Sequence, residues 1–296
     1  MNPQISILIT TYNRCEKLKR ALASIFAQTY TDYEIIIIDD ASTDETPNFI
    51  DSCLDPRISY FRNAENQGRE NGDRVHIKRF VNELAKGKYF LYLCDDDHLM
   101  FDTLLARQVA LFEANYTACM VIGGQMSDFG DRTKFHENVY PLSHMTAGQF
   151  LKHFSENPIT SNIIIGATLY HREKFIESGA LQGEGAKWQS GYEMLMAPAK
   201  CGDVIYINEP CVMTEIRPSN ASFQGTQKSQ YLDCVKSIKA AQLPIDIEKR
   251  TIYNVGQSFL RNAEHIKENG SLTMCSAENI AEPVTMDDIK LVTGDL

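Results

Sequence analysis

The first hundred residues alternate short apolar runs, polar turns and amphipathic stretches, a pattern that predicts strands and helices in alternation. Ile5-Ser6-Ile7-Leu8-Ile9 is strand-length and is cut off by Tyr12-Asn13-Arg14. From Leu18 the apolar residues Leu22, Ile25 and Phe26, with Ala21 and Ala23 beside them, recur at helical spacing, and Gln28 to Asp32 closes that helix. Tyr33 to Ile38 is almost continuously aliphatic, as a central parallel strand covered on both faces should be. It ends in Asp39-Asp40. Ser42 or Thr43 is placed to cap a helix carrying Phe49, Ile50 and Leu54. Ile58 to Phe61 predicts a third strand, Asn63 to Asp73 a polar loop, and Val75 to Leu84 a helix. Tyr89 to Leu93 predicts a fourth, buried strand that stops at Cys94-Asp95-Asp96-Asp97-His98.

This alternation argues for an α/β fold with a mainly parallel central sheet flanked by helices. Two of its strands end in acids, and in such sheets ligands bind outside the carboxyl ends. Three adjacent carboxylates raise one another's pKa unless a cation offsets their charge. Oxygen ligands favour Mg2+ or Mn2+, and either ion would also bridge substrate phosphates. A solvated acidic turn is the plain alternative.

Beyond the acids, Leu104 to Phe112 marks a helix and Ala118 to Ile122 a strand, after which the pattern weakens from Gly123 onward. Gln149 to Phe154 looks helical, Ile163-Ile164-Ile165 strand-like, and Glu193 to Lys200 a helix interrupted by Pro198. Val204 to Ile207 predicts a strand. Helical patches at Tyr231 to Ala241 and Ile247 to Ile266 precede an acidic tail poor in aromatics.

The 296 residues carry 29 basic and 39 acidic side chains, a net charge of -10, which disfavours nucleic acid and anionic lipid as general partners. Eight cysteines are scattered singly, with no C-x-x-C and no Cys/His metal spacing, so they read as reduced thiols of a cytoplasmic protein. No run of about 18 apolar residues predicts a membrane span.

Taken together, Ile7-Leu8-Ile9-Thr10-Thr11-Tyr12-Asn13, the run from Tyr33 through Asp39-Asp40-Ala41-Ser42-Thr43-Asp44, and Cys94-Asp95-Asp96-Asp97 resemble the family 2 glycosyltransferases of GT-A fold. The spore-coat polysaccharide type is the nearest in pattern. The likeness is dense over about the first 125 residues and thin to about residue 222. It implies a nucleoside diphosphate sugar at the sheet's carboxyl edge, UDP or dTDP favoured, and transfer with inversion to a carbohydrate or lipid-linked saccharide acceptor in surface polysaccharide or glycoconjugate synthesis. It divides the chain into a donor half (1–125), an acceptor half (126–225) and a helical C-terminal extension (226–296). It also implies a cytoplasmic protein, with peripheral contact at the membrane's inner face where the acceptor is lipid-linked.

Residue by residue, the resemblance assigns Thr11 and Tyr12 to the base, Asp40 to the imide N–H of uracil or thymine, and Asp95 to the ribose or a metal-bound water. Asp96 would ligate Mn2+ or Mg2+, with Asp97 as a further acid at the metal; a lone His such as His98 is more often structural. Arg69, in Asn66-Gln67-Gly68-Arg69, is the candidate diphosphate contact, and Arg217 a second one. An inverting transfer also needs a carboxylate to deprotonate the acceptor hydroxyl. Here the chain departs from the family pattern: Gly191 stands where that base is expected. Glu193 is the nearest carboxylate and so the candidate catalytic residue, with Glu184 in Gln182-Gly183-Glu184-Gly185 as its rival. Loss of the base would instead leave a nucleotide-sugar-binding protein without catalysis.

Overall fold

A computed structural model describes residues 2–136, 139–158, 165–185, 191–216, 226–269 and 282–294. Four strands alternate with three helices at the start: β1 (Ile5–Thr11), α1 (Cys15–Phe26), β2 (Tyr33–Asp39), α2 (Thr46–Ser52), β3 (Ile58–Arg62), α3 (Arg69–Arg79) and β4 (Tyr89–Cys94). The fifth, β5 (Asp97–Leu99), follows at once, then α4 (Leu104–Ala114), β6 (Ala118–Asp128), β7 (Thr133–Phe135), β8 (His144–Met145) and α5 (Ala147–Glu156). Next come β9 (Thr168–His171), α6 (Arg172–Glu177), α7 (Gly191–Met196), β10 (Asp203–Glu215), α8 (Gln227–Ala240), α9 (Ile245–Asn269) and α10 (Met286–Thr293).

One sheet runs in the order β3-β2-β1-β4-β9-β6-β10-β5, with β7 beside β6 and β8 beside β10. Its long ladders, β1 with β2 and β4, β2 with β3, and β6 with β10, are parallel. The antiparallel ladders are only two or three residues long. Every residue of β2 is buried, which is why its sequence shows no alternation. The register places Thr11 opposite Asp39 and Thr10 opposite Cys94, so β1, β2 and β4 end level. That common end carries the candidate site.

Several boundaries differ from the sequence expectation. The loop after β3 is short, because α3 starts at Arg69, behind Gly68 at φ +66°, and winds into a π-helical turn over Phe80–Leu84. Hydrophobic periodicity could not find the first turn of α3, which is wholly polar. Neither Ser42 nor Thr43 caps α2. Instead Asp44 accepts the backbone N–H of Thr46 at 3.0 Å and that of Cys15 at 3.1 Å, serving two helix starts with one carboxylate. Strand β6 runs six residues past Ile122 to Asp128, through Gly123-Gly124. A Cβ on Gly123 would sit 2.6 Å from the Cys211 Cβ, so the glycines that seemed to end the strand let β10 approach it. Strand β10 likewise continues past Ile207, with a register shift at Pro210.

In the second half, α7 stops at Met196 and a 3-10 turn, Pro198–Cys201, replaces the expected continuation. Of the expected Ile163-Ile164-Ile165 strand, Ile163 and Ile164 lie outside the described residues. The C-terminal region is helical: α9 packs on α5, α8 and α10. Helix α10 went unseen in the acidic tail, although Thr285 and Asp288 form a reciprocal cap that is legible as Thr-x-x-Asp. None of the seven described cysteines is in a disulfide.

Candidate active site at the carboxyl edge of the sheet

Because β1 lies between β2 and β4, the acids after β2 and after β4 flank the end of β1, about 10 Å apart across two strand spacings. Thr11 braces both sides. Its carbonyl accepts the Asp40 N–H at 2.9 Å, and its hydroxyl donates to Asp95 at 2.9 Å. Both of those Thr11 groups therefore face protein, while Tyr12 beside it is 44% exposed and presents its ring to solvent. Asn13, in the left-handed region at φ 52°, ties the first two loops: its side-chain oxygen accepts the N–H groups of Thr43 and Asp44, and its own N–H donates to Ser42. Asp39 is buried under the site, accepting the Ser42 N–H and the Tyr60 hydroxyl. Asp40 is the half-buried acid that stays at the edge, with Asn63 and the Gln67 N–H on one of its oxygens.

The acidic triplet is split by the fold. Asp95 and Asp96 share the Arg14 guanidinium, at 3.0 and 3.2 Å. Burial pushes the Asp95 carboxyl up to about 6, against the opposing pull of Arg14. Asp97 belongs to β5, opposite Thr214 of β10, with Gly166 against it. Burial, reinforced by the charge of Asp96, holds its carboxyl well above the usual range, and Oδ1 has no hydrogen-bond partner among the described residues. Strand geometry sends His98 to the other face. Among the described residues no three His, Cys, Asp or Glu side chains converge on one point. The pair Asp95 and Asp96 nonetheless concentrates charge where a cation already sits, the guanidinium of Arg14. Asp95 and Asp96 are the carboxylates that could hold a divalent ion at this edge. Sequence reading missed Arg14, which stood only as part of a strand-breaking turn.

The family model described as glycosyl transferase family 2 matches residues 6–179. The chain belongs to that family. Among curated family relatives, a putative colanic acid biosynthesis glycosyl transferase of Escherichia coli is 36% identical over 98 residues, 32% of this chain and 33% of the relative. A GalNAc(5)-diNAcBac-PP-undecaprenol beta-1,3-glucosyltransferase of Campylobacter jejuni is 35% identical over 104 residues, 34% of this chain and 32% of its own. The chain thus spans about a third of the length of each. Among solved structures, residues 1–349 of S. aureus TarS in complex with UDP-GlcNAc superpose with a TM-score of 0.68 at 14% identity, covering 91% of this chain and 76% of that fragment. A mannosyltransferase from Pyrobaculum calidifontis, in complex with GDP-Man and Mn2+, gives 0.57 at 15%, over 92% of this chain and 77% of that one. These establish the GT-A fold.

Where the family pattern places its base, the structure has Gly191 at the buried start of α7. Glu193 is fully buried in the same helix. Arg74 grips it with two nitrogens, one to Oε2 and one at 3.1 Å to Oε1, and the Leu181 N–H donates to Oε1 at 2.7 Å. Arg74 also donates to the Gly183 carbonyl, so the pair pins the 181–185 loop to α3. Glu184 in that loop is exposed. Arg69 opens α3, but its side chain and all of Arg217 lie outside the described residues.

Proposed function

We propose that this chain transfers a sugar from a UDP or dTDP donor to a saccharide acceptor, free or lipid-linked, with inversion and with Mn2+ or Mg2+. The observation that carries the reading is the placement of Asp40 and Asp95 on either side of Thr11. Asp40 takes the base, Tyr12 packs on it, and Asp95 and Asp96 lie where ribose and diphosphate follow. A divalent ion held by Asp96 with Asp95 would supply charge to offset the departing diphosphate. Asp97, buried in β5 and held toward its neutral form, is the further acid proposed beside Asp96 at the metal. Arg69 and Arg217 remain the proposed diphosphate contacts. The Cys94-Asp95-Asp96 form of the acidic motif favours the spore-coat type within the family.

In the reaction, the acceptor oxygen bonds to the anomeric carbon as the bond to the diphosphate breaks, and a carboxylate takes the hydroxyl proton. A base must reach the acceptor. Of the two candidates, the exposed Glu184 meets that need, whereas Glu193 would have to leave Arg74 and the Leu181 N–H first. We assign residues 1–125 to the donor, 126–225 to the acceptor and 226–296 to a helical extension. Among the described residues no helix is long and apolar enough to cross a membrane; we propose peripheral contact with a lipid-linked acceptor at the inner face of the membrane.

The test is calorimetric titration of UDP, dTDP, GDP and CMP, each with and without Mn2+. Metal-dependent binding of a pyrimidine diphosphate, lost in both Asp40→Ala and Asp96→Asn, is expected; binding of none would sink the reading. The burial of Glu193 favours a second one, a nucleotide-sugar-binding protein without a base. It gains if nucleotide binds but neither transfer nor donor hydrolysis follows with any acceptor, and if Glu184→Gln changes nothing.

A further inference from the structure

The carboxylate of Asp40 is held asymmetrically. Asn63 Nδ2 donates to its Oδ1 at 2.8 Å, and the Gln67 backbone N–H donates to the same oxygen at 2.9 Å. Among the described residues no donor reaches Oδ2. The rest of Asp40 is also fixed: its N–H goes to the Thr11 carbonyl, and its carbonyl accepts Asn66 Nδ2 at 3.2 Å. Asn63 is itself well placed to aim a side chain. Its backbone N–H continues the β2–β3 ladder by donating to the Asp39 carbonyl at 2.8 Å, and its amide also meets His76 Nε2, on buried His76 of α3, at 3.5 Å. The ring leaves the amide nitrogen facing Asp40.

From this we infer that Asn63 is a positioning residue for base selection: by fixing one oxygen of Asp40 it presents the other, in a set orientation, to a ring N–H donor. The inference rests on the donor-site reading above. A carboxylate rotating freely offers either oxygen at many angles and discriminates poorly. One whose first oxygen is doubly bonded into the protein offers a single acceptor direction. Uracil and thymine carry an N–H at ring position 3 and can donate to it. Cytosine carries a lone pair there and would set acceptor against acceptor, the arrangement that rejects an analogue most strongly.

The experiment measures UDP and CDP affinity, with Mn2+ held constant, for the wild type, Asn63→Ala, Asn63→Asp and Asp40→Ala. The wild type is expected to prefer UDP by about a hundredfold. In Asn63→Ala, UDP affinity should fall about tenfold while CDP is little changed, so that the preference shrinks. Asn63→Asp keeps the size of the side chain, guards against simple misfolding, and should lose more, since a second carboxylate then faces Asp40. Adding Asn63→Ala to Asp40→Ala should cost nothing further, because the amide acts only through that acid. If UDP and CDP weaken together in Asn63→Ala and Asn63→Asp with the preference intact, Asn63 merely supports the loop and the inference fails alone. If the wild type binds neither nucleotide, the donor-site reading falls and takes this inference with it.

Discussion

Two arginine–carboxylate joints in this chain look alike on paper and differ in what surrounds them. At the sheet edge, Arg14 is 37% exposed in its side chain and touches Asp95 and Asp96. Between α3 and α7, Arg74 is 13% exposed and Glu193 1%, with the Leu181 N–H completing the set. Asp95 and Asp96 are themselves only 5% and 14% exposed, so the first joint is open on the Arg14 side, where an incoming diphosphate or cation can compete for it. The second is sealed, and removing either partner strands a charge in a dry interior, which costs far more than the pair itself contributes. The same pairing of acid and cation is therefore proposed as a ligand site at the edge and as a structural rivet in the interior. Solvent access decides which.

The comparison breaks most sharply at Asp96. Asp96→Asn is expected to reduce transfer by at least about a thousandfold, with an unchanged melting curve, read by a donor-consumption assay beside circular dichroism. Full activity in that variant would make the edge acids structural as well.

Next in size is the sealed joint. Arg74→Met or Glu193→Gln should each cost about 3–5 kcal/mol, measured by denaturant unfolding, and Arg74→Met combined with Glu193→Leu should recover much of that loss. A Glu193→Gln protein that unfolds like the wild type but has no turnover would instead identify Glu193 as the base.

A smaller effect separates the open joint by pH. Burial raises the folded-state pKa of Asp95 to about 6, above its unfolded value, so ionising it works against the fold. Its cost is fully present above pH 6 and fades as pH falls toward the unfolded pKa near 4. Asp95→Asn should therefore raise the melting temperature of the ligand-free protein at pH 8 by a few degrees, about 2 kcal/mol or less, and leave it little changed at pH 4.5. A drop at pH 8 would mean that the bonds from Thr11 and Arg14 outweigh the burial. Smallest is Asp44→Ala, which removes the cap shared by α1 and α2 and should cost about 1 kcal/mol in urea unfolding.

By itself the sequence determined the alternation of the first four strands, their buried or half-buried character and the acids at their ends, because each of those is a local pattern of side chains. The C-terminal helices were legible for the same reason, apart from α10, whose signal was a cap and not a period. What only the tertiary structure decided depends on residues far apart in the chain. Gly123 looked like the end of a strand until Cys211 was seen to need its missing Cβ. The sequence showed Asp95, Asp96 and Asp97 as one acidic run; pairing of β5 with β10 put Asp97 in a buried strand, while Arg14 came across from the first loop to the other two. Nothing in the spacing around Glu193, the candidate base, announced Arg74, 119 residues away, which the structure places on it. Spacing along a chain reports which side chains share a face; whether a charge on that face meets water, a partner or another charge is set by packing, and that is where the chemistry of this site is decided.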